Sequence, residues 1–194
     1  MPLSAGQQGL WYLERLTPEA AAYNIAVPLR VRGALDVEAL ERSLRVLVER
    51  HAALRMRFRV GEDGEVVSVI GPAVDVFPPL PVAAFRPFNL ETGPLLRVAV
   101  FSQSAEESIL LLTIHHLIAD FWSLAILVRE LSALYRQETG GEPAVPPIPV
   151  RTFADHVARE RALLAGPAKE ELLAWWSERL AGEINDLALQ TDRP

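Results

Sequence analysis

Residues 108–120 read Ser108-Ile109-Leu110-Leu111-Leu112-Thr113-Ile114-His115-His116-Leu117-Ile118-Ala119-Asp120. Ile109 to Ile114 is apolar except for Thr113, and a run apolar on both faces predicts a strand in the centre of a sheet. Consecutive strand residues point to opposite faces. One imidazole is therefore expected to face a cleft and the other the packed interior. Burying an imidazole costs free energy unless its nitrogens find partners. Asp120, about one helical turn beyond His116, is a candidate partner for orientation or for a nearby arginine. Histidine is the usual general base near neutral pH, because its unperturbed pKa is about 6.5. Two other readings stand beside this one. The pair can serve packing and hydrogen bonding alone. It can also be read with Asp120 as a facial metal-ligand set, although the third ligand must share a face and His115 and His116 are expected to diverge.

Leu95 to Phe101 predicts a further strand. Asn24 to Arg32 predicts another, with Ile25, Val27, Leu29 and Val31 on one face. Asp36 is placed to cap a helix to about His51, whose apolar stripe is Leu40, Leu44, Leu47 and Val48. Arg55–Val60 and Glu65–Ile70 read as a hairpin across Gly61-Glu62-Asp63-Gly64. Ser4 is placed to cap a helix to about Leu16, with Leu10, Trp11 and Leu13 as apolar contacts. Thr17-Pro18 ends it, since the residue before proline is biased away from helix. The proline-rich stretch from Gly71 to Pro94 predicts little regular structure.

Downstream, a helix from about Trp122 to Gln137 turns Leu124, Leu127, Val128, Leu131 and Leu134 inward, and Thr139-Gly140-Gly141 stops it. A loop spans Pro143 to Pro149. Helices near Thr152–Leu164 and Ala168–Leu180 follow, and the tail from Gln190 to Pro194 reads as extended and polar. Strands and helices mix without strict alternation, which predicts an α/β sandwich with a mixed sheet.

Composition narrows the function classes. The chain has 194 residues, 23% charged, with a formal net charge of -6. That balance argues against a nucleic-acid partner, which usually requires a basic patch. There is no cysteine, hence no disulfide framework, thiolate zinc site or cysteine nucleophile. The N-terminus lacks the basic start and apolar core of a signal peptide. The longest apolar runs fall far short of the roughly 20 residues that span a bilayer. The expectation is a soluble, cytoplasmic protein with no membrane contact.

His115-His116-Leu117-Ile118-Ala119-Asp120-Phe121-Trp122-Ser123 closely resembles the HHxxxDG core motif of condensation domains in nonribosomal peptide synthetases. Leu3-Ser4-Ala5-Gly6-Gln7-Gln8-Gly9-Leu10-Trp11-Tyr12-Leu13 is similar to that family's opening motif. Arg50-His51-Ala52-Ala53-Leu54-Arg55-Met56-Arg57-Phe58 resembles its RHxxLRxxF segment, and Phe153-Ala154-Asp155-His156-Val157 its aromatic–x–Asp–aromatic pattern. Trp175 to Gly182 and Leu189 to Pro194 are similar to the segment leaving the first lobe. The matches follow family order over nearly the whole chain.

The resemblance implies a chloramphenicol-acetyltransferase-like fold in two lobes, with a tunnel between them and the motif midway. Carrier proteins dock at opposite mouths, each presenting an acyl group on a phosphopantetheine thioester, and an acceptor amine attacks the donor thioester to form an amide. No cofactor or metal is implied to bind the chain directly. The partners implied are donor and acceptor carrier proteins and neighbouring synthetase domains. The resemblance assigns catalysis to His116, either removing a proton from the amine or holding it in place, since positioning alone supplies much of such a rate. It assigns structural roles to His115, Trp11 and Asp120, the last paired with an arginine: Arg50 or, preferred, Arg55.

Two departures qualify these expectations. Phe121 stands where the motif has glycine, a residue that permits close approach and positive φ. Phe121, Trp122 and Ser123 are therefore candidates for shaping the tunnel, and the alternative for Phe121 is packing on the following helix. The match also covers one lobe, so residues 1–194 are read as an N-terminal lobe without its C-terminal partner lobe, inactive alone. The alternatives carried forward are a non-catalytic carrier-docking module and a related acyltransferase that forms esters or draws on coenzyme A.

Overall fold

The computed structural model describes residues 1–17, 20–77, 86–142, 146–148 and 150–182. The chain divides into two compact units, Met1–Val157 and Ala158–Pro194.

The first unit is organised on an antiparallel sheet of three strands. Strand β5 (Glu107–His115) lies in the middle, between β1 (Asn24–Arg32) and β4 (Leu96–Ser104). The register pairs Asn24 with His115 and Leu96 with Ile114. Leu110, Leu112 and Ile114 project from one face of β5 and are buried. Beside them stand Val98 of β4 and Ile25, Val27 and Leu29 of β1, in one apolar cluster. Period-two alternation aligns these side chains across the strands.

Helix α2 (Val37–Arg50) contributes Leu40, Leu44, Leu47 and Val48 to the same cluster, and helix α3 (Phe121–Glu138) contributes Leu124, Leu127, Leu131 and Leu134. Asp36 caps α2, its Oδ1 accepting the Ala39 N–H at 2.9 Å. That bond satisfies a donor the first helical turn leaves free. Strands β2 (Met56–Val60) and β3 (Val66–Ile70) form the expected hairpin. Gly64 in its turn has φ 81°, a conformation that favours glycine.

Several boundaries shift. Strand β4 runs on to Ser104 and β5 includes His115, while α3 begins at Phe121. Arg55 closes a short 3-10 turn, Ala52–Arg55, instead of opening β2. Helix α1 (Ala5–Leu16) has the Ser4 cap and the expected end, but its inward face differs. Leu13 is exposed, and the buried residues of α1 are Gln7 and Glu14. Leu10 and Trp11 complete that stripe as partly buried contacts. Positions 7, 10, 11 and 14 share one side of a helix of 3.6 residues per turn, and position 13 points elsewhere.

Helix α4 (Phe153–Ala165) starts in the first unit. Helix α5 (Ala168–Arg179) lies in the second and has no buried residue. Residues 78–85 of the proline-rich stretch, most of the Pro143–Pro149 loop and the tail from Gln190 to Pro194 lie outside the described residues. Among the described residues no helix is long and apolar enough to cross a membrane.

Candidate active site

The end of β5 separates the two histidines. His115 is completely buried, whereas His116 is exposed just past the strand. They do not share a face, so the facial ligand geometry is not formed by these two rings. The Nδ1 of His115 accepts the Leu117 N–H at 3.1 Å. That bond requires an unprotonated Nδ1, so the neutral ring carries its proton on Nε2. Burial, reinforced by the neighbouring His116, pushes the His115 pKa down to about 4. The ring makes a T-shaped contact with Phe88, with centroids 6.0 Å apart.

His116 is held differently. Its backbone N–H donates to Tyr23 O at 2.9 Å, and its Nδ1 lies 2.9 Å from Ala119 O. A carbonyl only accepts, so Nδ1 is the donor and, in the neutral ring, Nε2 keeps a free lone pair. His116 lines an open pocket of about 510 Å³ together with Asp120, Ser123, Gln7, Arg151 and Phe153. A pocket-lining imidazole with one nitrogen tied back and a lone pair on the other has the form required for proton removal from a bound nucleophile.

The turn itself is tied down by α1. Ser4 and Gln7 form a reciprocal capping box, in which Gln7 N donates to Ser4 Oγ and Ser4 N donates to Gln7 Oε1. The Gln7 amide nitrogen then donates to Leu117 O at 2.9 Å. Two motifs far apart in sequence are thereby joined by a buried hydrogen bond.

The expected pair between Asp120 and an arginine is not formed. Asp120 is exposed and caps α3, its Oδ1 accepting Ser123 N at 2.8 Å and Ser123 Oγ at 2.7 Å. Those hydrogen bonds hold its carboxyl below the usual range. Arg50 instead pairs with Glu130 of α3 at 3.1 Å and donates to Pro146 O at 2.6 Å. Arg55 donates to Gly71 O at 3.1 Å. The physical reason is position. Asp120 stands at the helix start, where backbone N–H groups need an acceptor, while Glu130 sits about three turns further along the helix and faces the interior. His51 also reaches Glu130, at 2.9 Å.

Phe121 and Trp122 occupy the first turn of α3 and are 82% and 77% exposed. No non-glycine residue described has positive φ, so the position of Phe121 demands no glycine conformation. The side chain stands in solvent, so the alternative of packing on the following helix is not seen. Ser123 serves Asp120 as cap partner. Trp11 is partly buried against the core, where packing accounts for it.

Glu14 and Glu130 belong to none of the motifs along the sequence. Both carried a signal: each interrupts the inward stripe of an amphipathic helix, Glu130 beside Leu127, Leu131 and Leu134, and Glu14 seven residues from Gln7. A carboxylate on such a stripe is buried only when something inside answers it.

The family profile described as "Condensation domain" matches residues 1–77 and 83–194. The chain belongs to the condensation-domain family. It is 39% identical to a linear gramicidin synthase of Brevibacillus parabrevis, over the whole chain and 4% of that relative. It is 42% identical to phosphinothricin tripeptide synthetase PhsB of Streptomyces viridochromogenes, over the whole chain and 18% of that relative. The chain thus spans a small part of the synthetases it matches. Among solved structures, the X-domain from teicoplanin biosynthesis superposes with a TM-score of 0.82 at 31% identity, over the whole chain and 46% of that chain. The first condensation domain of the calcium-dependent antibiotic synthetase gives 0.79 at 24% identity, over 91% of this chain and 46% of that one, and supports the fold alone. The α/β fold is of the chloramphenicol-acetyltransferase type, in one lobe.

Proposed function

We propose that this chain is the N-terminal lobe of an amide-forming condensation domain and carries its reactive histidine, His116. The observation that carries the reading is that His116 lines the pocket with its Nδ1 held by Ala119 O, which leaves the lone pair of the neutral ring on Nε2. The substrates are two acyl groups, each delivered as a thioester on the phosphopantetheine of a carrier protein. The acceptor amine attacks the donor carbonyl, forming the C–N bond. The C–S bond breaks, and the donor arm leaves as a thiolate that ends as the thiol by taking up the proton lost from the amine, which returns His116 to its neutral form. His116 Nε2 takes the proton the amine sheds, or accepts its hydrogen bond and fixes its approach. Placing the two reactants in one pocket supplies a large part of the rate, and a general base contributes about 100- to 10,000-fold. The rest of the tunnel wall belongs to the second lobe, so this lobe alone is inactive.

The test is product formation by the two-lobed domain from loaded donor and acceptor carriers. His116→Ala is expected to lower the rate at least about 100-fold while binding of the carriers is kept. Normal product formation by a well-folded His116→Ala domain overturns the assignment. Amide and ester products are told apart by offering amine and alcohol acceptors in parallel.

A second reading has one observation behind it. The similar teicoplanin X-domain is described in complex with OxyB, and the exposed Phe121 and Trp122 beside the pocket give this lobe an apolar surface of its own. On that reading the lobe is a docking module, and a two-lobed domain binds carrier or partner protein without releasing product.

A further inference from the structure

Among the described residues, three buried side-chain polar atoms lack a hydrogen-bond partner: Glu14 Oε2, His115 Nε2 and Arg55 Nε. The first two face each other, 3.6 Å apart. Both residues are almost sealed from water, Glu14 at 5% exposure and His115 at 0%. The Leu117 N–H occupies His115 Nδ1, so the unpartnered Nε2 of the neutral ring is a donor. Glu14 presents an acceptor to it. A buried donor and a buried acceptor left apart each cost free energy, and a movement of a few tenths of an ångström joins them.

We propose that Glu14 is a positioning residue of the motif: its carboxyl accepts the Nε2–H of His115 and so holds the turn on which His116 is oriented. The transmission is short. The Glu14 contact and the Leu117 N–H fix the His115 ring from both nitrogens. His115 O also accepts the Ile118 N–H at 3.1 Å, and the turn so closed brings Ala119 O to His116 Nδ1. Gln7, one face-repeat away on the same helix, holds Leu117 O. Helix α1 thus grips the turn at two points through its two buried polar side chains. The groups facing the His115 ring are Glu14 from α1, His116 beside it and the Phe88 ring, with the Arg97 guanidinium 3.7 Å from the Phe88 centroid. Burial pushes the Glu14 carboxyl up, consistent with an acid that has left water.

The proposal rests on the reading of His116 as the working histidine only for its catalytic meaning. Its test needs no activity. The 194-residue chain has four histidines, so imidazole nitrogen spectra can be assigned with single substitutions. The expected pattern is a pure Nε2–H tautomer at His115 and an Nδ1–H tautomer at His116. Glu14→Gln, which keeps an acceptor oxygen, retains both. Glu14→Leu removes the acceptor, and His116 loses its Nδ1–H preference and takes the Nε2–H form favoured in water. A folded Glu14→Leu chain with both tautomers unchanged overturns the proposal. Should Glu14→Leu fail to fold, the unsubstituted chain decides. The His115 Nε2 shift is expected to follow Glu14 ionisation, tracked at the Glu14 carboxyl carbon, and to lose that step in Glu14→Gln. A His115 Nε2 signal blind to that ionisation also overturns it. Failure of the His116→Ala rate test with these tautomers intact removes the catalytic assignment and leaves the positioning contact standing.

Discussion

The side-chain amide of Gln7 donates to the carbonyl of Leu117 at 2.9 Å, across 110 positions of sequence. It places the first turn of α1 directly against the turn that follows β5. The bond is buried, so neither group has water to fall back on.

Truncating Gln7 therefore has a larger effect than its position near the N-terminus suggests. Gln7→Ala leaves the Leu117 carbonyl without its donor and opens the capping box with Ser4. The expected loss is about 1–3 kcal/mol, read from denaturant unfolding. Gln7→Glu separates the two contributions. It can still accept from Ser4 N but cannot donate to Leu117, and it is expected to destabilise as well. A Gln7→Ala chain as stable as the original removes the energetic link between α1 and the motif.

Asp120 tests the role of the motif's aspartate. A buried ion pair broken at one end costs about 3–5 kcal/mol, whereas loss of a helix N-cap costs about 1 kcal/mol. The geometry is that of a cap, so Asp120→Ala is expected to lower stability by about 1 kcal/mol. Asp120→Ser, which keeps an oxygen for the Ser123 N–H, is expected to recover most of it. Unfolding midpoints of the two variants distinguish the cases.

Glu130 carries the buried pair instead. Its side chain is 3% exposed, and Arg50 and His51 converge on one of its oxygens. Glu130→Ala removes the acceptor that Arg50 and His51 share, with an expected cost of about 3–5 kcal/mol. Burial alone would raise this carboxyl, but the hydrogen bonds from His51 and Arg50 outweigh it and hold the pKa below 4.5. A depressed folded-state pKa stabilises above the unfolded value and loses that contribution as pH falls through the folded one. Glu130→Gln is accordingly expected to flatten the acid limb of the stability curve below about pH 4.5.

His115 acts at higher pH. Its folded pKa of about 4 lies below the ordinary 6.5. Stability is complete above pH 6.5 and declines as pH falls from there towards 4, because the unfolded chain takes up the proton first. At about 1.4 kcal/mol per unit, the full effect is about 3 kcal/mol. Glu14 works against it, since its raised pKa lets the folded chain take up a proton on acidification. The measured decline is therefore expected to be shallower than His115 alone produces, and steeper in Glu14→Gln. Unfolding free energies from pH 7 to 4.5 supply the comparison; a flat profile in both chains contradicts the buried neutral ring.

The motif, the strand that carries it and the divergence of His115 and His116 were legible from local pattern. Period-two alternation and an apolar run fix which residues share a face, and both are properties of neighbouring residues. The caps at Ser4 and Asp36 and the hairpin at Gly61–Gly64 were legible for the same reason. Partner choice among charged groups was not. Arg50, Arg55 and Asp120 are compatible in charge, and sequence records no distance. Only the packing of α2 against α3 brings Arg50 and His51 to Glu130, and only the helix start at Phe121 turns Asp120 into a cap. Likewise the inward face of α1 looked apolar from Leu10 and Leu13, yet helix phase buries Gln7 and Glu14. Sequence by itself determined the family, the order of the motifs along the chain and the histidine pair. Tertiary structure decided which polar groups meet, because a hydrogen bond or ion pair depends on approach within about 3 Å, and that approach is set by elements distant in sequence.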